Sequence, residues 1–175
     1  VRVRGADSIP FKGRLALKVL APDGTVVDER AGENVVCTTG YTAIAAALAW
    51  SGIQDQASNL GILAPTYLTP LYGAVGSGTG AVAKADTQLQ TELGRVVVSG
   101  TGATPASSTI AAMTTWLFYF PNPASTWTVA EAGVFANATS TANSGSMLDH
   151  WSFSPTVSVP TTNTLILEVS FTFGP

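Results

Sequence analysis

The chain has 175 residues, 46% of them hydrophobic and only 11% charged, with a formal net charge of −3. That length suits one domain able to bury about two-thirds of its unfolded surface, while the charged fraction is less than half the ~25% usual for soluble domains. Nucleic-acid binding and membrane spanning are both excluded as expectations: Lys and Arg form no stripe beyond the N-terminal region, and no apolar run approaches the ~18–20 residues that cross a bilayer.

Eleven of the nineteen charged residues fall in the first 34 positions. This asymmetry divides the reading into a charged arm and hairpin, residues 1–34, a candidate attachment element, and a β-sandwich domain over 35–175. The polar N-terminus is unlike a signal peptide, and Val1 in place of Met reads as removal of an initiator, a trimmed chain or a processed precursor.

Leu15, Leu17 and Val19 alternate with Arg14, Ala16 and Lys18, the period of a half-buried strand. Pro22, Asp23 and Gly24 form a turn, and Thr25 to Arg30 returns as a second strand. Thr38 or Thr39 is expected to cap a helix over Tyr41 to Trp50, stopped by Gly52. Ile53 to Pro70 lacks a period and reads as a long excursion suited to partner contacts.

Leu71 to Val75 suggests a short strand, and Asp86 is placed as the N-cap of a second short helix ending at Leu93. Arg95 to Ser99 follows as a strand, Ser99 to Thr109 as a loop. The remainder is strand-rich: Ile110 to Phe120, Trp127 to Phe135, Met147 to Phe153, and the terminal run in which Leu165, Leu167, Val169, Phe171 and Phe173 alternate with more polar neighbours. The fold class is therefore mainly β, an antiparallel β-sandwich of jelly-roll-like type with one or two short helices.

No catalytic, cofactor-binding or metal site is expected. Gly76, Gly78 and Ala81 match a relaxed dinucleotide fingerprint, but Lys84 is followed by Ala85 and Asp86 and no βαβ unit surrounds them, so the glycines are read as serving a tight backbone path. His150 stands beside Asp149 and near Ser152, yet neighbours on a strand face opposite ways, so a Ser-His-Asp triad is rejected in favour of a surface or interface histidine. Cys37, the only cysteine, lies in an apolar run and is read as a small buried hydrophobe.

Glu168 is assigned to an exposed face. Glu131 is placed by alternation on the core side with Trp127, Val129 and Phe135, where an ion pair with Arg95 is one reading and a catalytic carboxylate a minor one. Trp116, Trp127 and Trp151 belong to core or interface, Trp50 to a helix end covering the sheet. The sequon Asn137, Ala138, Thr139 has meaning only in a eukaryotic secretory setting.

The order of Tyr72 to Gly80, Asp86, Thr87, Leu89, Glu92, Leu93 and Arg95, then Glu131 to Phe135, Met147 to Asp149 and Leu165 to Phe173 resembles a group of tailed-bacteriophage virion structural proteins. These are capsid decoration, head-fibre or tail-associated proteins, and the resemblance spans about 100 residues from Tyr72 onward. It implies a multimeric β-sandwich module with no cofactor and no catalytic residues. The expectation is a capsid decoration protein, a homotrimer bound to the major capsid protein on the outside of the assembled lattice. A tail fibre, baseplate or receptor-binding module is the alternative, and a cellular carbohydrate-binding or hydrolytic sandwich a third.

Overall fold

Alternation along β1 (Phe11–Leu20) sends Leu15, Leu17 and Val19 inward, where each is fully buried. The computed structural model describes residues 11–51, 71–104 and 112–173. After β1 come β2 (Val26–Glu33), β3 (Val35–Val36), the helix α1 (Thr38–Ser51), β4 (Tyr72–Gly76), β5 (Glu92–Val97), β6 (Gly100–Thr104), β7 (Ala112–Phe120), β8 (Trp127–Ala136), β9 (Ser146–Val159) and β10 (Thr164–Phe173). They form two five-stranded antiparallel sheets, one ordered β2-β1-β10-β7-β6 (sheet A) and the other β3-β9-β8-β4-β5 (sheet B), as a β-sandwich requires.

Hairpins alternate between the sheets. The pairs β1–β2 and β6–β7 lie in sheet A, β4–β5 and β8–β9 in sheet B, and β10 returns to sheet A between β1 and β7. The main core lies between the sheets: Leu15, Leu17, Val19, Phe118, Leu165 and Leu167 from sheet A meet Val75, Val129, Ala132, Val134 and Val157 from sheet B. Trp116 stands edge-on to Phe171 with ring centroids 5.3 Å apart. Burying each such side chain is worth about 1.5–3 kcal/mol, so the terminal strand is a principal source of stability.

Several sequence expectations are corrected. The division at Asn34 does not follow the fold, because β1 is an interior strand of sheet A, paired with β10 from Phe11↔Phe173 to Leu20↔Thr164. Among the described residues 11–33, charge marks the solvent face and edge of a sheet, and residues 1–10 of the expected arm lie outside the described residues. Ser99 to Thr109 is not all loop: Gly100–Thr104 is a strand on β7, a continuation of β5 that switches sheets through Val98 and Ser99. The helix begins at Thr38, and the Cys37 carbonyl accepts its first bond, from Tyr41 N–H at 3.1 Å, so neither threonine is the cap. Residues 77–91 form no second helix. Ile53 to Pro70 and residues 105–109 lie outside the described residues, as does the side chain of Trp50.

Sheet B has a second, smaller core on its outer face. There Leu89 lies with Cys37, Ala74, Phe135, Ala138 and Met147, all buried. The irregular segment 77–91, which connects β4 to β5, covers that face and brings its polar groups over β8 and β9.

Candidate functional site

Glu131 lies on the outer face of sheet B, not the inner face that plain alternation assigns. The β8–β9 register slips between Val129 and Glu131, so Val129 joins the main core while Glu131 faces outward beside Gly133 and Phe135. From Val129↔Val157 to Glu131↔Ser152 the pairing advances two residues on β8 and five on β9, a slip of three, and an odd slip exchanges the faces of the residues beyond it. The same strand pair slips again between Val134 and Phe135, which turns Met147 outward and Asp149 inward.

The Glu131 side chain is 1% exposed. Its Oε1 accepts from the backbone N–H groups of Gly78 (3.0 Å) and Thr91 (2.8 Å), and its Oε2 from Gln90 N–H (3.0 Å). The glycine run thus wraps an acceptor after all, and the acceptor is the chain's own Glu131 carboxyl group. A Cβ at either Gly76 or Gly78 would sit 2.5 Å from Glu131 Oε1, so the close approach needs glycine at both positions.

His150 is also buried, 1% exposed, which corrects its placement at a surface or interface. Its Nδ1 lies 2.7 Å from Asp86 Oδ2 and its Nε2 3.1 Å from Glu131 Oε2. Asp86 also accepts from Ala83 N–H at 2.8 Å. Burial pushes the Asp86 carboxyl up, but the Ala83 and His150 bonds outweigh it and hold the group below the usual carboxylate value. Asp149 points away from this cluster and meets Asn34, so adjacent residues on β9 do face opposite ways.

The Glu131 to Arg95 ion pair does not form. Arg95 pairs instead with Glu92, Nε to Oε1 at 2.6 Å and Nη2 to Oε2 at 2.7 Å, both side chains 3% exposed. Its Nη1 donates to the carbonyls of Thr139 and Ser144, fastening the loop after β8 onto β5, and its guanidinium lies 4.8 Å from the Phe135 ring centre. Bidentate geometry suits arginine here as lysine could not.

The chemistry open to these groups follows from their partners. Both ring nitrogens of His150 are hydrogen-bonded to carboxyl groups, so neither is placed to take a proton from a nucleophile. Ser152 lines an open groove with Thr79, Phe153, Ser154 and Thr156, while the Nε2 that would activate it is committed to Glu131. The two carboxylates flank opposite edges of the ring and share no common point, and among the described residues no group of three or more His, Cys, Asp and Glu could hold a metal ion. Glu168 lies on the far side of the sandwich, on the outer face of sheet A, in an open groove of ≈ 310 Å³ with Arg14, Lys18, Glu29 and Met113, so it makes no catalytic pair with Glu131.

Cys37 is buried, and its thiol is pushed up to about 12 by burial and by the Asp149 and Asp86 carboxylates. Trp151 is buried in the main core, Trp116 and Trp127 pack against it, and Asn137 is exposed just past β8. Among the described residues no helix is long and apolar enough to cross a membrane.

Sequence reasoning missed Asp86 as the partner of His150, 64 residues away, and Gln90 and Thr91 as donors to Glu131. The available signal was scarcity: a chain that avoids charge keeps an acid or base only where something holds it. Gly76 to Gly80, Asp86, Leu89, Glu131, Phe135 and Met147 all lie on one face of sheet B, whereas Leu165 to Phe173 belongs to sheet A.

No family model, no curated protein and no solved structure matches the chain.

Proposed function

We propose that this chain is a non-enzymatic virion structural protein, a capsid decoration protein that binds the assembled major capsid lattice as a homotrimer and stabilises the head. The observation that carries the reading is where the charges go. Seven of the eight charged residues after Asn34 are described, and five of them (Asp86, Glu92, Arg95, Glu131 and Asp149) are spent in internal bonds, four being almost wholly buried. Lys84 and Glu168 alone remain for that part of the described surface, and the other described surface charges belong to β1, β2 and their turn.

A surface this poor in charge lacks the repulsion that keeps monomers apart, which suits burial against neighbours. It also carries large apolar groups on the outer face of sheet A: along β7, Met113, Leu117 and Tyr119 are 38%, 40% and 50% exposed. The resemblance of the segment order to tailed-phage structural proteins supplies the setting. Binding the closed lattice in preference to loose subunits stabilises the shell by mass action.

The test compares heated virions with and without this protein. Heads that lose their genome at a lower temperature in its absence support the reading, and unchanged heat resistance sinks it. A tail fibre or baseplate module, the alternative, would leave head stability untouched and abolish adsorption to the host.

A further inference from the structure

Sheet A ends in two unlike edges. β6 is Gly-Thr-Gly-Ala-Thr and carries no charge, whereas β2 carries Asp28, Glu29 and Glu33 against a single Arg30. Among the described residues β2 bonds to β1 alone, so its other row of backbone N–H and C=O groups is a template for one more strand. On the outer face of the sheet Glu29 meets Lys18 at 3.5 Å with its side chain 51% exposed, and Glu33, level with Arg14, makes no ion pair among the described residues. On the inner face Arg30, level with Leu17, has a buried Nε without a partner among the described residues. Sheet B closes that side with β3 alone, two residues set against Asp149 and His150, so Phe153 farther along β9 has no described strand beyond it.

The ten residues that lead into Phe11 fit this edge on both faces. Val1 and Val3 alternate with Arg2 and Arg4, the period of a strand with one apolar and one cationic face. They enter β1 at the end of sheet A where β2 finishes, since Arg14 is level with Glu33. Passing from β1 to the far side of β2 takes two strand spacings, about 10 Å, of the ~33 Å that ten residues can span. A chain that lies along that edge and then enters β1 must run parallel to β2. The free edge of β6 is about 19 Å from β1 and offers the arginines no acid.

We propose that residues 1–5 seat on the free edge of β2 in their own chain as a sixth, parallel strand of sheet A. Arg2 and Arg4 lie beside Glu29 and Glu33 on the outer face, and Val1 and Val3 cover the seam beside Phe153. The acids that repel an unrelated strand select this one, because opposite charges across a strand pair attract and like charges repel. Reach favours the same chain over a second copy, since a tether this short holds the arm at an effective concentration of about millimolar. The contact stands independently of the proposed role on the capsid.

Two measurements on the whole chain test it. In the unaltered protein, the β2 amides that point away from β1 should exchange with solvent as slowly as those that point toward it. Free-chain exchange at alternate positions of β2 would overturn the proposal. A nitroxide on V1C, with the buried Cys37 left unlabelled, should broaden the amide signals of Asp28 and Glu29 and leave those of Gly100 and Thr101 sharp. R2E with R4E should cut the docked population about 3- to 30-fold, the worth of two opposite-charge cross-strand pairs. Unbroadened β2 amides, or broadening that survives R2E with R4E, would sink the idea. Broadening of a 15N chain without nitroxide by an added nitroxide-bearing chain would assign the arm to a second copy and overturn it as well.

Discussion

Replacing Asp149 with Asn should stabilise the fold at neutral pH. Asp149 is fully buried, its Oδ2 accepts from Asn34 Nδ2, and its Oδ1 and the Asn34 Oδ1 both lack a partner among the described residues. Burial pushes the carboxyl well above its ordinary value, and the bonds from the His150 backbone and the Asn34 side chain offset only part of this. The folded state therefore holds this proton more tightly than the unfolded chain does. Its contribution is most favourable below the unfolded value of ~3.9 and declines as pH rises from there through the higher folded value.

An amide at position 149 removes the charge and can donate to the orphaned Asn34 oxygen. A buried unsatisfied polar group costs about 1–3 kcal/mol, so D149N should gain about that much at pH 8, or about 2–4 °C in Tm per kcal/mol for a chain of this size. Urea denaturation at pH 4 and pH 8 reads it directly. The gain should be larger at pH 8, and the variant should lose part of the fall in stability between the two. A variant no more stable than the parent at pH 8, with the parent's pH dependence intact, would refute the reasoning.

Other outcomes follow from the same contacts. Glu131→Gln should cost about 3–5 kcal/mol in urea denaturation, because it puts an amide where three backbone N–H donors converge on a buried carboxyl group. Cys37, with its thiol pushed up to about 12, should resist alkylation at pH 8 in the folded protein and react at once in denaturant. Leu167→Ala, in the main core, should cost about 2–5 kcal/mol. Leu117→Ser, on the open face of sheet A, should change stability by less than about 0.5 kcal/mol yet weaken attachment to capsids in a pelleting assay.

The parts of the fold legible in the sequence were those in which one strand face is buried and the other wet. β1 and β10 alternate cleanly because both sit inside sheet A with an open outer face. β6 was not legible, since Gly-Thr-Gly-Ala-Thr carries no apolar alternation and becomes a strand only through its bonds to β7. Asp86 looked like a helix cap because capping and binding a histidine ask for the same short carboxylate, and the tertiary partner took it. Glu131 was misplaced by the slip in the β8–β9 register, which no period can show. Each part of the site was visible as an unexplained charge or glycine, but what joined them lay 19 to 64 residues away along the chain.

The number of copies in a purified virion, counted by quantitative mass spectrometry against the major capsid protein, tests the central claim most directly. A capsid decoration protein should be present in hundreds of copies per particle. A handful of copies, or none, would contradict the account.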